Sequence, residues 1–474
     1  MSVGSDSAIF REPLHPAFAL VAGGGRTVWQ ILRRGDRKLA LPDYGQLAAA
    51  AAYLFFLKEV FGGIFRFVTV HTGLLFLNYV PPLLTILALA SFYIHVFKVE
   101  RIHYLMVWFT LLAGVFVSYA FVNEIPSLQS AVGFYIWLPF IAGLLLSLQR
   151  NEQVLFKSML ALWCMAVVGV LINSIVDFPW AGASYEVLGV PREIARKWSY
   201  LGFDRIAGFG RASFAAAYMI LFYSCCILVS RKYSLIVRWG CYLISGYALF
   251  LTTSKSPILI WAIIPFFLSI YEATGSVFGR QSLVSYYWAK STIIFLLVLL
   301  IGLPLWGNIP DVAQNRLQIY FFTFTSLADR MQITWPDAFA LLSHGGNMLL
   351  GRGVGGIGTP QQFYETDLYN YADNLFVYLY VSTGIVGVIA IFSALTANLK
   401  ATFIFNRQRF KETYILLFYL LGLGISVNII DGPAQALLLG LLVGRGLTER
   451  RLKKAAKAAV ALASNVRRRY AIAV

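Results

Sequence analysis

One property of this chain limits its possible folds more than any motif does. Apolar runs of roughly 16 to 26 residues follow one another along most of its length, near the roughly 20 residues a helix needs to cross hydrocarbon. With 59% of its 474 residues hydrophobic and 13% charged, the chain has too little polar side chain to coat a soluble core. Alternating segments of about ten residues, the mark of a membrane barrel, are absent. The expectation is an all-α, polytopic integral membrane protein.

Lysine and arginine bias orients the runs and predicts about twelve spans. They fall at 44–62, 72–97, 103–122, 131–148, 156–176, 208–229, 236–252, 257–273, 290–307, 374–398, 413–429 and 432–447. Two outer loops, 177–206 and 308–373, are long enough to carry structure of their own. In the first, Pro191 followed by Arg192 to Trp198 predicts a short interfacial helix; the second predicts one or two short capping helices. The formal charge of +17 is concentrated in a basic tail at 1–43 and a polybasic tail at 448–474, flanking a 44–447 membrane domain. Residues 1–43 lack the apolar core and cleavage site of a secretory leader, so both tails are expected in the cytoplasm. Such segments orient spans and attract anionic lipid, which argues for membrane lipids as partners and against nucleic acid. The four cysteines lie in apolar runs, and the five histidines show no ligand spacing, so no metal site is expected.

Against this background, most polar clusters with chemical potential map to the outer face. Asp204-Arg205-x5-Arg211 lies where the loop 177–206 meets the sixth span, and each arginine can either snorkel to headgroups or pair with an anionic substrate. The tight turn Thr253-Ser254-Lys255-Ser256 places a cation in a short outer loop, where positive charge is disfavoured. Arg330-x4-Trp335 is followed by Gly351-Arg352-Gly353 and by Asp373-Asn374 at the head of a long span. No βαβ context surrounds the glycines, so they are not a dinucleotide fingerprint; they predict a loop turning tightly over a ligand. Asp373-Asn374 suits either a helix cap or chemistry, and Gly384 and Gly387 suit close packing within the membrane. A site for an anionic substrate at the outer membrane–water boundary is the expectation.

The order and spacing of Arg205-x2-Gly208, Thr253-Ser254-Lys255-Ser256, Arg330-x4-Trp335, Leu350-Gly351-x-Gly353, Asp373-Asn374 and Gly384-x2-Gly387 resemble the O-antigen polymerase/ligase superfamily of Wzy-like and WaaL-like proteins. The resemblance covers about residues 200–395 and implies a GT-C-like glycosyltransferase of the inner membrane, active at its periplasmic face without metal or other cofactor. Its donor and acceptor would be oligosaccharides on undecaprenyl diphosphate, with chain-length regulators or export proteins as further partners. Arg330, Asp373 and Asn374 become the catalytic candidates. Arg205, Arg211, Ser254, Lys255, Trp335, Arg352, Gly351 and Gly353 become the substrate-binding candidates. Lys255 stands where the motif carries arginine, and Asp373-Asn374 stands where ligases carry His-Asn, which points toward polymerisation over ligation. The alternatives are a ligase-type glycan transferase and, with ionisable groups near the midplane instead, a lipid-sugar flippase.

Overall fold

In hydrocarbon each backbone N–H and C=O must be satisfied within the protein, and a helix does this locally. The computed structural model describes residues 43–98, 114, 120, 122–149, 158–187, 190–200, 203–277, 283–307, 325–405 and 407–446. Most of the predicted third span, nearly all of both basic tails, and residues 308–324 lie outside the described residues. Helices α1 (Tyr44–Val60) and α2 (Gly62–His71) are followed by α3 (Val80–Lys98), α4 (Ser127–Gln149) and α5 (Met159–Asn173). Then come α6 (Ser213–Val229), α7 (Leu235–Thr252), α8 (Lys255–Val277), α9 (Leu283–Gly307), α10 (Leu375–Phe405), α11 (Arg407–Gly424) and α12 over 433–446.

Six stretches, within α7 to α10, α4, and α3 with the turn before it, are long and apolar enough to cross a membrane. The pair α1 and α2 passes the same test together but bends by 92° at Phe61, and α5 and α6 are apolar but shorter. On α7 to α9 large apolar side chains stand exposed, among them Leu243, Phe250, Phe266 and Val298. A surface of that kind is stable against lipid and not against water. The chain is a multi-pass membrane protein. Its centre is α6, apolar on all sides and buried at nearly every position, packed by α1, α5, α7, α8 and α11. Small residues let α4 and α12 approach closely: a Cβ on Gly143 would meet Leu437 O at 1.9 Å, and one on Gly440 would meet Phe140 O at 1.9 Å.

The loop at 177–206 departs from expectation. No interfacial helix forms at 191–198; two antiparallel hairpins do, β1 (Ser184–Val187) with β2 (Val190–Glu193), and β3 (Trp198–Tyr200) with β4 (Phe203–Arg205). Seven residues are too few to hold a helix without a packed face. The segment instead finds backbone partners across the hairpins and beyond: Ile194 N–H donates to Ala183 O at 2.7 Å, and Arg196 N–H to Arg211 O at 2.8 Å. The described part of the second loop, 325–373, does carry short helical turns.

Candidate functional site

Arg330 opens a π-helical turn, Arg330–Thr334, a backbone form that concentrates at functional sites. Its Nε donates to Asp373 Oδ2 at 2.9 Å, and both side chains are only partly exposed, 22% and 25%. Asn370 holds the two segments in register: its Nδ2 donates to Thr334 O at 2.8 Å and its Oδ1 accepts from Ala372 N–H at 2.8 Å. Ala372 (φ 61°) and Asp373 (φ 46°) are consecutive left-handed residues, strain of the sort that fixed sites retain. Burial raises the Asp373 carboxyl above its ordinary value, while the adjacent Arg330 cation opposes that rise.

Asn374 is fully buried beside this pair and its polar atoms go to backbone. Its Oδ1 accepts from Val377 N–H at 3.0 Å, capping α10, and its Nδ2 donates to Leu300 O and Ile425 O, both at 3.1 Å. One amide thus ties α9, α10 and the turn after α11 together under Asp373. The turn at 253–256 meets the same region, since Ser256 Oγ and Ser426 Oγ lie 2.6 Å apart. Thr253 takes a left-handed conformation, Ser254 is buried with its Oγ on Thr252 O at 3.5 Å, and Lys255 stands exposed as the first residue of α8.

Two groups that sequence reading passed over complete the centre. Tyr218 of α6 lies within electrostatic reach of Asp373, Arg330 and Arg205. Arg205 stacks over Trp198 with 5.3 Å from its guanidinium carbon to the ring centre, and its buried Nε has no hydrogen-bond partner among the described residues. The second group is Asp431, in the turn before α12. Burial pushes its carboxyl up to about 7, opposed by Asn428 and reinforced by the charge of Asp373, and its buried Oδ1 has no hydrogen bond among the described residues. A lone acid within an apolar hairpin was its signal in the sequence.

Five expected substrate contacts engage other parts of the protein. Arg352 is 1% exposed and fully engaged: Nη2 donates to Glu365 Oε1 at 2.8 Å, Nη1 to Gly356 O at 2.7 Å and Nε to His344 O at 3.2 Å. Burial works to raise Glu365, but bonds from Arg352, Gln129 and Gln361 prevail and hold its carboxyl below the ordinary value. This ion pair staples the glycine loop shut. Gly351 packs on α10 and Gly353 lies against Ala120, while Arg352 N–H and Gly353 N–H donate to Val381 O (2.7 Å) and Ser382 O (3.1 Å). A Cβ on Gly351 would lie 2.5 Å from Val381 O, so glycine here serves contact with the helix. Trp335 is 0% exposed and packed within the core. Arg211 also parts company with Arg205. It turns toward Arg66 on α2 and toward Arg192 and Arg196 of the first loop.

Beside the centre lies a cavity of about 1090 Å³ between α9 and α10, walled by Ile301, Phe339, Phe376, Tyr380 and Val388. It begins at Phe376, three residues beyond Asp373.

No curated protein matches the chain. Among protein families, the O-antigen ligase family matches residues 240–392. That segment holds the 253–256 turn, Arg330, the glycine loop, Asp373-Asn374 and Gly384, while Arg205 and Arg211 precede it. Residues 240–392 are thus similar to the O-antigen ligase family, consistent with the O-antigen polymerase/ligase superfamily that the chain's motifs resemble.

Proposed function

We propose that this protein is a polysaccharide polymerase of the bacterial inner membrane, joining oligosaccharide units carried on undecaprenyl diphosphate at the periplasmic face. The observation that carries this reading is the Arg330–Asp373 pair, 2.9 Å apart and partly open, with Asp373 three residues in sequence before Phe376 of the apolar cavity wall. A substrate with a polyprenyl tail, a diphosphate and a sugar presents the matching sequence of chemistries: apolar chain in the cavity, anion at Arg330, sugar beside Asp373.

The reaction follows from that placement. The C1–O bond of the donor sugar breaks, and its electron pair leaves with the diphosphate. The Nε of Arg330 holds Asp373, and an arginine carries four further N–H donors suited to a diphosphate. Guanidinium groups of Arg330 and Arg205, fixed in a partly dry site, stabilise the leaving charge without reorganising. A hydroxyl of the acceptor sugar attacks C1 and gives its proton to Asp373, whose raised basicity suits a general base. Asn374 acts by holding Asp373 at the helix start, and Asp431 adds a second carboxyl to the same pocket of charge.

Arg330→Ala is expected to lower polymer formation about 10²–10³-fold, the usual loss for one such electrostatic clamp. Arg330→Lys should recover little, since an ammonium lacks the planar fork. Near-normal polymer from Arg330→Ala in a cell-free assay with lipid-linked units would overturn this mechanism. The family description also supports a ligase reading, and a glycan profile of a deletion strain separates the two. Single units left on the carrier mean polymerisation; long chains left on the carrier mean ligation.

A further inference from the structure

Beside Asp373 the second loop leaves an aromatic ring partly in water. Tyr371 lies two residues before the carboxylate and is 47% exposed, and its backbone O accepts from Asp373 N–H at 2.7 Å. That tight turn, with Ala372 and Asp373 both left-handed, sets where the ring stands relative to the carboxyl. Tyr369 backs it, with the two ring centres 6.0 Å apart. From Tyr369 the contacts cross to the first loop. Arg196 lies within electrostatic reach of Tyr369, and its guanidinium carbon stands 5.2 Å from the ring centre of Trp198. Trp198 is 38% exposed and leads back through Phe214, at 5.9 Å between ring centres. Phe214 meets Tyr218 at 5.7 Å, and Tyr218 lies within reach of Arg330 and Asp373. The contacts thus return to the carboxylate at which they began.

Large rings left partly wet beside a reactive group have apolar area still to bury. Each of these rings is also bordered by strong hydrogen-bonding groups: Asp373 next to Tyr371, and the guanidinium groups of Arg196 and Arg205 over Trp198. An acyl chain would cover the rings and strand those groups. A bare anion would suit the arginines and leave the rings wet. A pyranose meets both demands, because the C–H bonds of a ring face are apolar while hydroxyls line its edge.

We propose that Tyr371 and Trp198 form an acceptor subsite, which holds the attacking sugar by the C–H face of its pyranose ring and turns its free hydroxyl to Asp373. The sugar's role as acceptor rests on the polymerase reading; that a pyranose binds here does not. The ring face of Tyr371 supplies the contact, and its hydroxyl is dispensable.

The test is saturation-transfer NMR of the full-length protein in phosphatidylcholine nanodiscs. The probe is the oligosaccharide that mild acid releases from the lipid carrier of a deletion strain. Wild type should bind it, with saturation concentrated on the ring C–H protons of one sugar. Tyr371→Ala and Trp198→Leu should each weaken binding about tenfold, the loss of one stacked ring, while melting temperature shows that the variant is folded. Tyr371→Phe should bind as wild type does. Trp198→Phe keeps a ring, should also bind close to wild type, and serves where the leucine variant does not fold. No transfer to the sugar, unchanged binding in Tyr371→Ala or Trp198→Leu, or binding by Tyr371→Phe as weak as by Tyr371→Ala would refute the subsite. In the cell-free polymer assay, Tyr371→Ala should raise the half-saturating concentration of lipid-linked units about tenfold and leave the maximal rate. A lower maximum with unchanged half-saturation would place Tyr371 in the chemical step and refute its role in binding. The released sugar carries no diphosphate and the NMR readout is binding, so failure there is distinct from failure of the polymerase reading, which Arg330→Ala decides.

Discussion

A single side chain can do chemistry here only where the fold leaves it partly wet, and the two aspartates show how finely that is divided. Asp373 pairs with Arg330 in a partly open position and is held above its ordinary value by burial. As a base it works ionised, so the rate should fall with decreasing pH through a value above 3.8, and Asp373→Asn should remove that limb together with about 10²-fold or more of the rate. Asp431 shifts further, from 3.8 to about 7, through burial and the charge of Asp373. A carboxyl raised on folding binds its proton more tightly in the native state. Its contribution to stability is fully present below pH 3.8 and is lost as pH rises toward and through 7. Asp431→Asn should therefore melt higher than wild type at pH 8 and no higher at pH 4, as read by thermal unfolding in detergent. A difference that grows toward low pH would count against this environment for Asp431.

At the scale of elements, a broken helix and the loop bonded to it set the site. The helix α10 runs through Gly384 at φ 62° and ψ −170°, and the break frees backbone groups that the glycine loop takes up. Ile385 N–H donates to Met348 O at 2.9 Å, while Val381 O accepts from Arg352 N–H. A Cβ at Gly384 would lie 2.1 Å from Leu349 O. Gly384→Ala should cost about 1–3 kcal/mol through a backbone conformation essentially confined to glycine, and more through that clash. Its mark is a lower melting temperature and folded yield. Arg352→Ala should act the same way, because removing one partner of a buried ion pair costs about 3–5 kcal/mol. If either variant kept wild-type stability and lost only substrate affinity, the loop would be a ligand contact after all. The sequence announced the glycines at 351, 353 and 384 but not their partners. A glycine needed for a ligand and one needed for a helix look alike until the opposing carbonyl is known.

For the whole molecule, orientation is the property on which the functional reading depends. Lysine and arginine bias predicts the hairpin loop outside and the turn after α6 inside. Glu186 and Lys232 are both exposed, one in each segment. A membrane-impermeant maleimide should label Glu186→Cys in intact spheroplasts and Lys232→Cys only after permeabilisation. Of the native cysteines, Cys164 is exposed on α5 and would be replaced first. The reverse pattern would move the Arg330–Asp373 centre to the cytoplasmic side and end the polymerase proposal.

Hydropathy determined the helical membrane class by itself, because the cost of an unpaired backbone group in hydrocarbon leaves a long apolar run little other choice. Motif order determined the superfamily resemblance and singled out Arg330 and Asp373, since charged groups beside apolar spans are costly to keep. What only the tertiary structure decided was which way each charge faces. Arg205 and Arg211 lie six residues apart in sequence, yet one reaches the Tyr218 centre and the other the Arg66 cluster. Arg352 is indistinguishable from them as a letter, and Glu365 closes it off. Hairpins in place of an interfacial helix, the 92° bend that carries Arg66 to Arg211, and the burial of Trp335 and Asn374 all arise from contacts between distant segments. Such contacts decide whether a polar group meets water, a ligand or its own backbone, and no local pattern encodes that choice.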